Sequence, residues 1–174
     1  MGNVLTTTFY QIKSKFRNEN QNDEELQAVP LLDYNVDFSN CKLTNDSLEG
    51  ALLSRGHSSL EKAVVLRLNK NVLTNLYSLT EMCERNNRFF KKLKVLDVSN
   101  NGLVNIINVN FKKYFPQLEE LYLQRNHLIS IDTNTFPSNL KILDISKNNI
   151  CFINKDNLPK SLEVLDTKDN LGSF

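Results

Sequence analysis

Covalent or metal chemistry needs a nucleophile, a base or a ligand set at workable spacing, and this sequence offers few candidates. Its three cysteines, Cys41, Cys83 and Cys151, are odd in number, far apart and free of any C-x-x-C pair. That argues against a disulfide framework or a zinc site and fits a reducing compartment. His57 and His127, the two histidines, have no ligand neighbour at metal-binding spacing, so neither a metal nor a cofactor is expected. No Gly-rich phosphate loop is present, and no nucleophile, base and orienting residue can be assembled from motif spacing. The residues therefore read as those of a binding protein and not of an enzyme.

One short motif does carry defined chemistry. Met1-Gly2-Asn3-Val4-Leu5-Thr6 matches the N-myristoylation pattern M-G-x-x-x-[ST], in which Gly2 takes the acyl chain. A single chain holds a membrane only marginally, and Lys13, Lys15 and Arg17 would supply the second, electrostatic signal. Leu5, Phe9, Ile12 and Phe16 fall on one narrow helical stripe, although three threonines at 6 to 8 weaken the helix. The plainer reading is a capping helix over the first core strand, and the two readings are compatible. Residues 18 to 25 are polar and acidic and read as a linker. The expected division is an N-terminal helix and linker over 1–30 and a folded domain over 31–174.

The elements that position any binding site must come from a chain of 174 residues with 40% apolar and 24% charged residues. This is an ordinary globular composition, long enough to bury roughly 70% of the unfolded surface. Net charge is +1, so attraction to nucleic acid or a membrane would need a local patch. No run approaches 18 apolar residues, and no N-terminal apolar core suggests a signal peptide. The expected location is the cytoplasm, at the inner face of a membrane if Gly2 is acylated. The sequon Asn45-Asp46-Ser47 should then stay unused.

Internal repetition decides the architecture. Leu93-Leu96-Val98-Asn101-Leu103, Leu118-Leu121-Leu123-Asn126-Leu128 and Leu140-Leu143-Ile145-Asn148-Ile150 follow the pattern L-x-x-L-x-L-x-x-N/C-x-L. Ala63-Leu66-Leu68-Asn71-Leu73 is an earlier copy, with degenerate copies at Val36-Phe38-Cys41-Leu43 and Leu162-Leu165-Thr167-Asn170. The Asn/Cys positions, 41, 71, 101, 126, 148 and 170, are spaced by 30, 30, 25, 22 and 22. Each repeat offers a short strand that cannot bury its apolar side alone, and stacking in parallel makes one core. An inward Asn can satisfy backbone groups of adjacent turns. Cys41 is expected to fill the same buried slot.

These residues resemble the leucine-rich-repeat superfamily over positions 31 to 172. The resemblance implies an α/β, open horseshoe solenoid of about six repeats with a parallel concave sheet. The 30-residue copies are similar to the ribonuclease-inhibitor type, which implies a helix with Asn45 or Asp46 near its N-cap and Gly56 near its end. A second helix is expected over 75 to 87, burying Leu76, Leu79, Met82 and Cys83. The shorter copies imply extended or 3₁₀ segments on the outer side. Each carries an Ile five after the ladder Asn (Ile106, Ile131, Ile153) and a bulky apolar residue ten after it (Phe111, Phe136, Leu158).

The resemblance also implies that a protein partner binds the concave face, as an adaptor or inhibitor would hold one. Solvent-facing strand positions give two rows: Asp37, Arg67, Asp97, Tyr122, Asp144 and Asp166, then Ser39, Asn69, Ser99, Gln124, Ser146 and Lys168. Asp and Ser are common there in the family; Arg67, Tyr122, Gln124 and Arg125 depart from that background. Arg67, Asn69, Asp97, Tyr122, Gln124, Arg125 and Asp144 are the candidate partner-binding residues, with Arg67 and Tyr122 expected to point into solvent. The alternative is a nucleic-acid-binding protein using the basic flank at 85–94 (Arg85, Arg88, Lys91, Lys92, Lys94) and 112–113, with Phe89 and Phe90 as stacking groups. Their place just before a strand favours core instead. At the C-terminus Thr167 and Gly172 break the pattern, leaving Leu171 and Phe174, or another surface, to cover the last strand.

Overall fold

The computed structural model describes residues 34–172; the acylation motif at Gly2, the helical stripe from Leu5 to Phe16 and Phe174 lie outside them. Six three-residue strands pair in parallel in chain order: β1 (Asn35–Asp37), β2 (Val65–Arg67), β3 (Val95–Asp97), β4 (Glu120–Tyr122), β5 (Ile142–Asp144) and β6 (Val164–Asp166). The sheet is open, and its central residues Val36, Leu66, Leu96, Leu121, Leu143 and Leu165 stand in one register. The fold is an α/β solenoid. Its core consists of those residues with Leu68, Val98, Leu123 and Ile145 two positions on, closed from the other side by the outer segments.

The outer segments shorten as the repeats do. Helix α1 (Asn45–Leu53) and helix α2 (His57–Lys62) follow β1, and helix α3 (Tyr77–Arg85) follows β2. The one-turn helix α4 (Phe111–Tyr114) follows β3, and 3₁₀ turns at Thr133–Thr135 and Lys155–Asn157 complete the last two connections. A connection of 22 residues has no chain left for a full helix once strand, ladder turn and return are made. Ile106, Ile153, Phe111 and Phe136 are buried; Ile131 and Leu158 are half-buried.

The structure refines two local expectations. The N-cap of α1 is Thr44, whose Oγ1 accepts from the Ser47 N–H while Ser47 Oγ accepts from the Thr44 N–H. This is a capping box with serine at the third position, a residue type that does not announce itself as glutamate would. Gly56 does more than end α1. At φ 83° it stops one helix and starts α2, a conformation that glycine reaches without strain. The stripe of α3 is Leu79, Thr80, Met82 and Cys83, with Leu76 buried at its N-cap. Burial among apolar groups pushes the Cys83 thiol up to about 12, which makes it an unreactive packing residue.

The ladder asparagines share one bonding scheme. Asn126 Oδ1 accepts from the Leu103 N–H of the preceding turn at 3.0 Å. Its amide donates to Val98 O (3.1 Å) and to Leu123 O (2.9 Å), the ends of the preceding strand and of its own. Asn71, Asn101, Asn148 and Asn170 repeat this on Leu43, Leu73, Leu128 and Ile150. Asn71, Asn126 and Asn148 are buried; Asn101 and Asn170 are half-buried. Cys41 departs from the expected buried slot and is exposed, its N–H donating to Asn71 Oδ1. The geometry gives the reason. A ladder amide serves the turn before it, and Cys41 heads the array of described residues.

Every residue immediately before a ladder position is left-handed: Asn40, Lys70, Asn100, Arg125, Lys147 and Asp169 have φ between 52° and 58°. The bend that turns the chain off the strand thus recurs even where Lys or Arg must adopt it. At the far end Leu171 is 69% exposed and does not fold over β6, whose Val164 is also exposed.

Candidate functional site

Concave geometry follows from the register. Asp37, Arg67, Asp97, Tyr122, Asp144 and Asp166 lie side by side across β1 to β6, about 4.8 Å apart from strand to strand. Most of the aspartates have a local duty. Asp37, Asp97, Asp144 and Asp166 accept, through Oδ1, the backbone N–H of Ser39, Ser99, Ser146 and Lys168, at 2.8 to 3.0 Å. Ser39 and Ser146 add their hydroxyls to the same oxygen. Asp-x-Ser is therefore a turn device that ends the strand, which accounts for its recurrence.

Repeats two and four break that device. Arg67, half-buried, reaches back to Asp37 at 3.9 Å, and Asn69 Oδ1 accepts from the Ser39 hydroxyl at 2.6 Å. Tyr122 corrects the expectation of a solvent-pointing ring: it is only 7% exposed, and its hydroxyl donates to Glu120 Oε2 at 2.8 Å. The adjoining strands wall the ring in, and the residue two positions back along its own strand takes its polar tip. Gln124 is 8% exposed, and its Oε1 is enclosed with no hydrogen-bond donor in reach among the described residues. An orphan acceptor of this kind costs about 1–3 kcal/mol. Arg125, in contrast, sits in the left-handed turn after the strand and is exposed.

Glu120 was not among the candidates from sequence. It belongs to a third concave row, Asn35, Val65, Val95, Glu120, Ile142 and Val164, which is mainly apolar. Burial pushes the Glu120 carboxyl above its ordinary value, against the hydrogen bond from Tyr122. Burial likewise raises Asp97 and Asp144, against their bonds from Ser99 and Ser146. A carboxyl raised by folding favours the fold while protonated. That contribution is complete below the unfolded value of 4.5 and is lost as pH rises through the folded one. Glu120→Gln is therefore expected to gain stability relative to the wild type as pH increases from 4.5 towards neutrality. Denaturant unfolding at several pH values measures this, and an advantage that shrinks over the same interval would contradict the assignment.

The basic flank is not a bare cationic face. Arg85 pairs with Glu49 at 2.7 Å, Arg88 with Glu61 at 2.8 Å, Lys94 with Glu119 at 2.8 Å and Lys113 with Glu84 at 2.5 Å. Lys91 donates to Lys113 O. Phe89 and Phe90 are buried, and both belong to a chain of ring contacts that continues through Phe115 and Phe111 to Phe136. Another feature escaped the sequence reading. Beyond the ladder turn, Val104 and Ile129 occupy equivalent positions three after Asn101 and Asn126, and Phe152 follows the third such position; they are 47%, 58% and 74% exposed. These positions lack the period-two signal of a strand, and nothing in the local sequence distinguishes them from core.

Comparison with known proteins agrees with the geometry. The leucine rich repeat family is matched by two models, one over residues 116–171 and one over residues 92–114. The ladder and the six-stranded register agree with these matches: residues 92–171 carry leucine-rich repeats. Proteins of this class are in general protein-interaction scaffolds and typically not enzymes. Among solved structures, the functional domain of InlJ from Listeria monocytogenes, which includes a cysteine ladder, is similar at 18% identity and a TM-score of 0.34. The likeness covers 65% of this chain, which spans 31% of that one. Comparison with curated proteins finds no match.

Proposed function

We propose that this chain is a cytoplasmic adaptor or inhibitor that holds a protein partner on its concave face, centred on β2 to β5. The observation that carries this reading is the pair of breaks at Arg67-x-Asn69 and Tyr122-x-Gln124. Elsewhere the concave rows repeat a turn device that serves the fold. At these two places they hold instead an arginine, a tyrosine and an orphan amide, of which Arg and Tyr are the types enriched in interface hot spots. The rival reading, nucleic acid on the basic flank, finds Arg85, Arg88, Lys94 and Lys113 paired with glutamates and its phenylalanines in the core.

Arg67→Ala and Asp144→Arg are expected to weaken partner binding by about 2 kcal/mol or more each, a factor of roughly 30. Arg88→Glu on the flank should leave it unchanged. Calorimetric titration against a partner purified with the full chain measures all three. Loss with the flank variant and retention with both concave variants would move the site. Tyr122→Ala is a poor probe, because removing a buried ring perturbs folding as well; Tyr122→Phe isolates the hydroxyl.

Tethering at a membrane is proposed on the Gly2 motif and the neighbouring cations alone. Expression in a eukaryotic host should add one acyl mass to the wild type and none to Gly2→Ala, with the wild type in the membrane fraction. An unmodified, soluble wild type would end that part of the reading.

A further inference from the structure

Four aspartates of the concave row end their strands by accepting a backbone N–H two residues on. In repeat four this device is absent, and the residue in the serine position, Gln124, is more than nine-tenths buried with Oε1 lacking any donor among the described residues. Around this acceptor the face is anionic: Asp97 and Asp144 flank Tyr122 in register, Glu120 lies two residues before it, and Asp166 continues the row. The cations of these rows are Arg67, in register between Asp37 and Asp97, and Lys168, whose N–H bonds Asp166. Asp97 and Asp144 each commit Oδ1 to a turn, and each has a second carboxylate oxygen. Burial raises all three of the inner carboxyls, a condition that an incoming positive charge relieves.

We propose that the strip from β3 to β5 receives one arginine side chain of the protein partner, with Gln124 Oε1 accepting one guanidinium N–H and the carboxylate of Asp97 or of Asp144 accepting another. The inference rests on the reading of the concave face as a protein-binding surface and adds the chemistry of what it holds. A planar fork of five N–H donors can serve acceptors on two neighbouring strands at once. An ammonium, with three donors at a point, meets fewer of these at once.

The test titrates the full chain with a fluorescein-labelled peptide of alternating glycine and arginine, and with its lysine and citrulline counterparts, by fluorescence anisotropy. The arginine peptide should saturate, the lysine peptide should bind more weakly, and the neutral citrulline peptide should not bind. Gln124→Ser restores the residue found at Ser99 and Ser146, so it suits the fold. It should weaken arginine-peptide binding by about tenfold, and Asp97→Asn with Asp144→Asn should abolish it. Equal binding of all three peptides, or undiminished binding by these variants with unchanged melting temperature, overturns the inference. If a partner is displaced by Arg67→Ala and Asp144→Arg but not by excess arginine peptide, the arginine pocket fails while the concave reading stands. If the peptide binds the strip but the partner ignores every concave variant, the concave reading fails instead.

Discussion

Asn126→Ala is expected to lower the stability of the repeat domain by about 4 kcal/mol, out of the 5–15 kcal/mol typical of a whole domain. The amide of Asn126 serves three backbone groups at once, the Leu103 N–H and the carbonyls of Val98 and Leu123, and the residue is only 4% exposed. Alanine would leave all three in a dry turn without partners. Each orphan costs about 1–3 kcal/mol, and relaxation of the turn recovers part of the sum. The loss should also spread, because a repeat contributes through its interfaces with its neighbours and Asn126 bonds both sides of one interface. Asn170→Ala provides the internal comparison. It removes the same three-way bonding on Ile150, Ile145 and Thr167, but at a half-buried end where water can replace the amide. Urea unfolding should show a clearly smaller loss for Asn170→Ala. Equal losses, or a loss under about 1 kcal/mol for Asn126→Ala, would show that the ladder amides do not hold the stack together.

Phe115→Ala is expected to cost a similar amount, about 4 kcal/mol, through a different mechanism. The Phe115 ring is fully buried, 6.4 Å from Phe90 and 6.1 Å from Phe111, which itself lies 5.5 Å from Phe136. This aromatic line runs from the end of the long-repeat region into the short repeats, where helices give way to 3₁₀ turns. Truncation removes the transfer free energy of the ring and leaves a cavity that rigid strands on one side cannot close. It also removes ring pairings worth about 0.5–1.5 kcal/mol. Phe152→Ala is the control: the same deletion at a ring that is 74% exposed should change stability by less than about 0.5 kcal/mol. Thermal and denaturant unfolding of the two variants side by side decide the matter, and comparable effects would mean that the spine is not a core. Partner binding should fall only for Phe115→Ala, since its loss loosens the repeats that present Asp97, Tyr122 and Asp144.

The repeat architecture was legible in the sequence because its determinants are periodic and local. A leucine in mid-strand, another two residues on and an asparagine three after that specify strand, inward face and turn within eight residues. The same counting separates the 30-residue repeats, which have chain enough for a helix, from the 22-residue repeats, which do not. What escaped it lacked either length or locality. Helix α2 has six residues, too few to show a period, and its start depends on the backbone angle of Gly56. The burial of Tyr122 depends on side chains of β3 and β5, about one repeat away in either direction, and its link to Glu120 emerges only once both face the same side. The ion pairs of the flank needed Arg85 to meet Glu49, 36 residues earlier, and Arg88 to meet Glu61, 27 earlier. The orphan oxygen of Gln124 is tertiary in the strictest sense. Glutamine in a sequence has every partner still open to it, and only the packed structure shows which acceptor has been enclosed without a donor. Local spacing can specify which way a residue points from its own strand; only the assembled neighbours decide whether that direction is open to solvent, to a partner or to nothing.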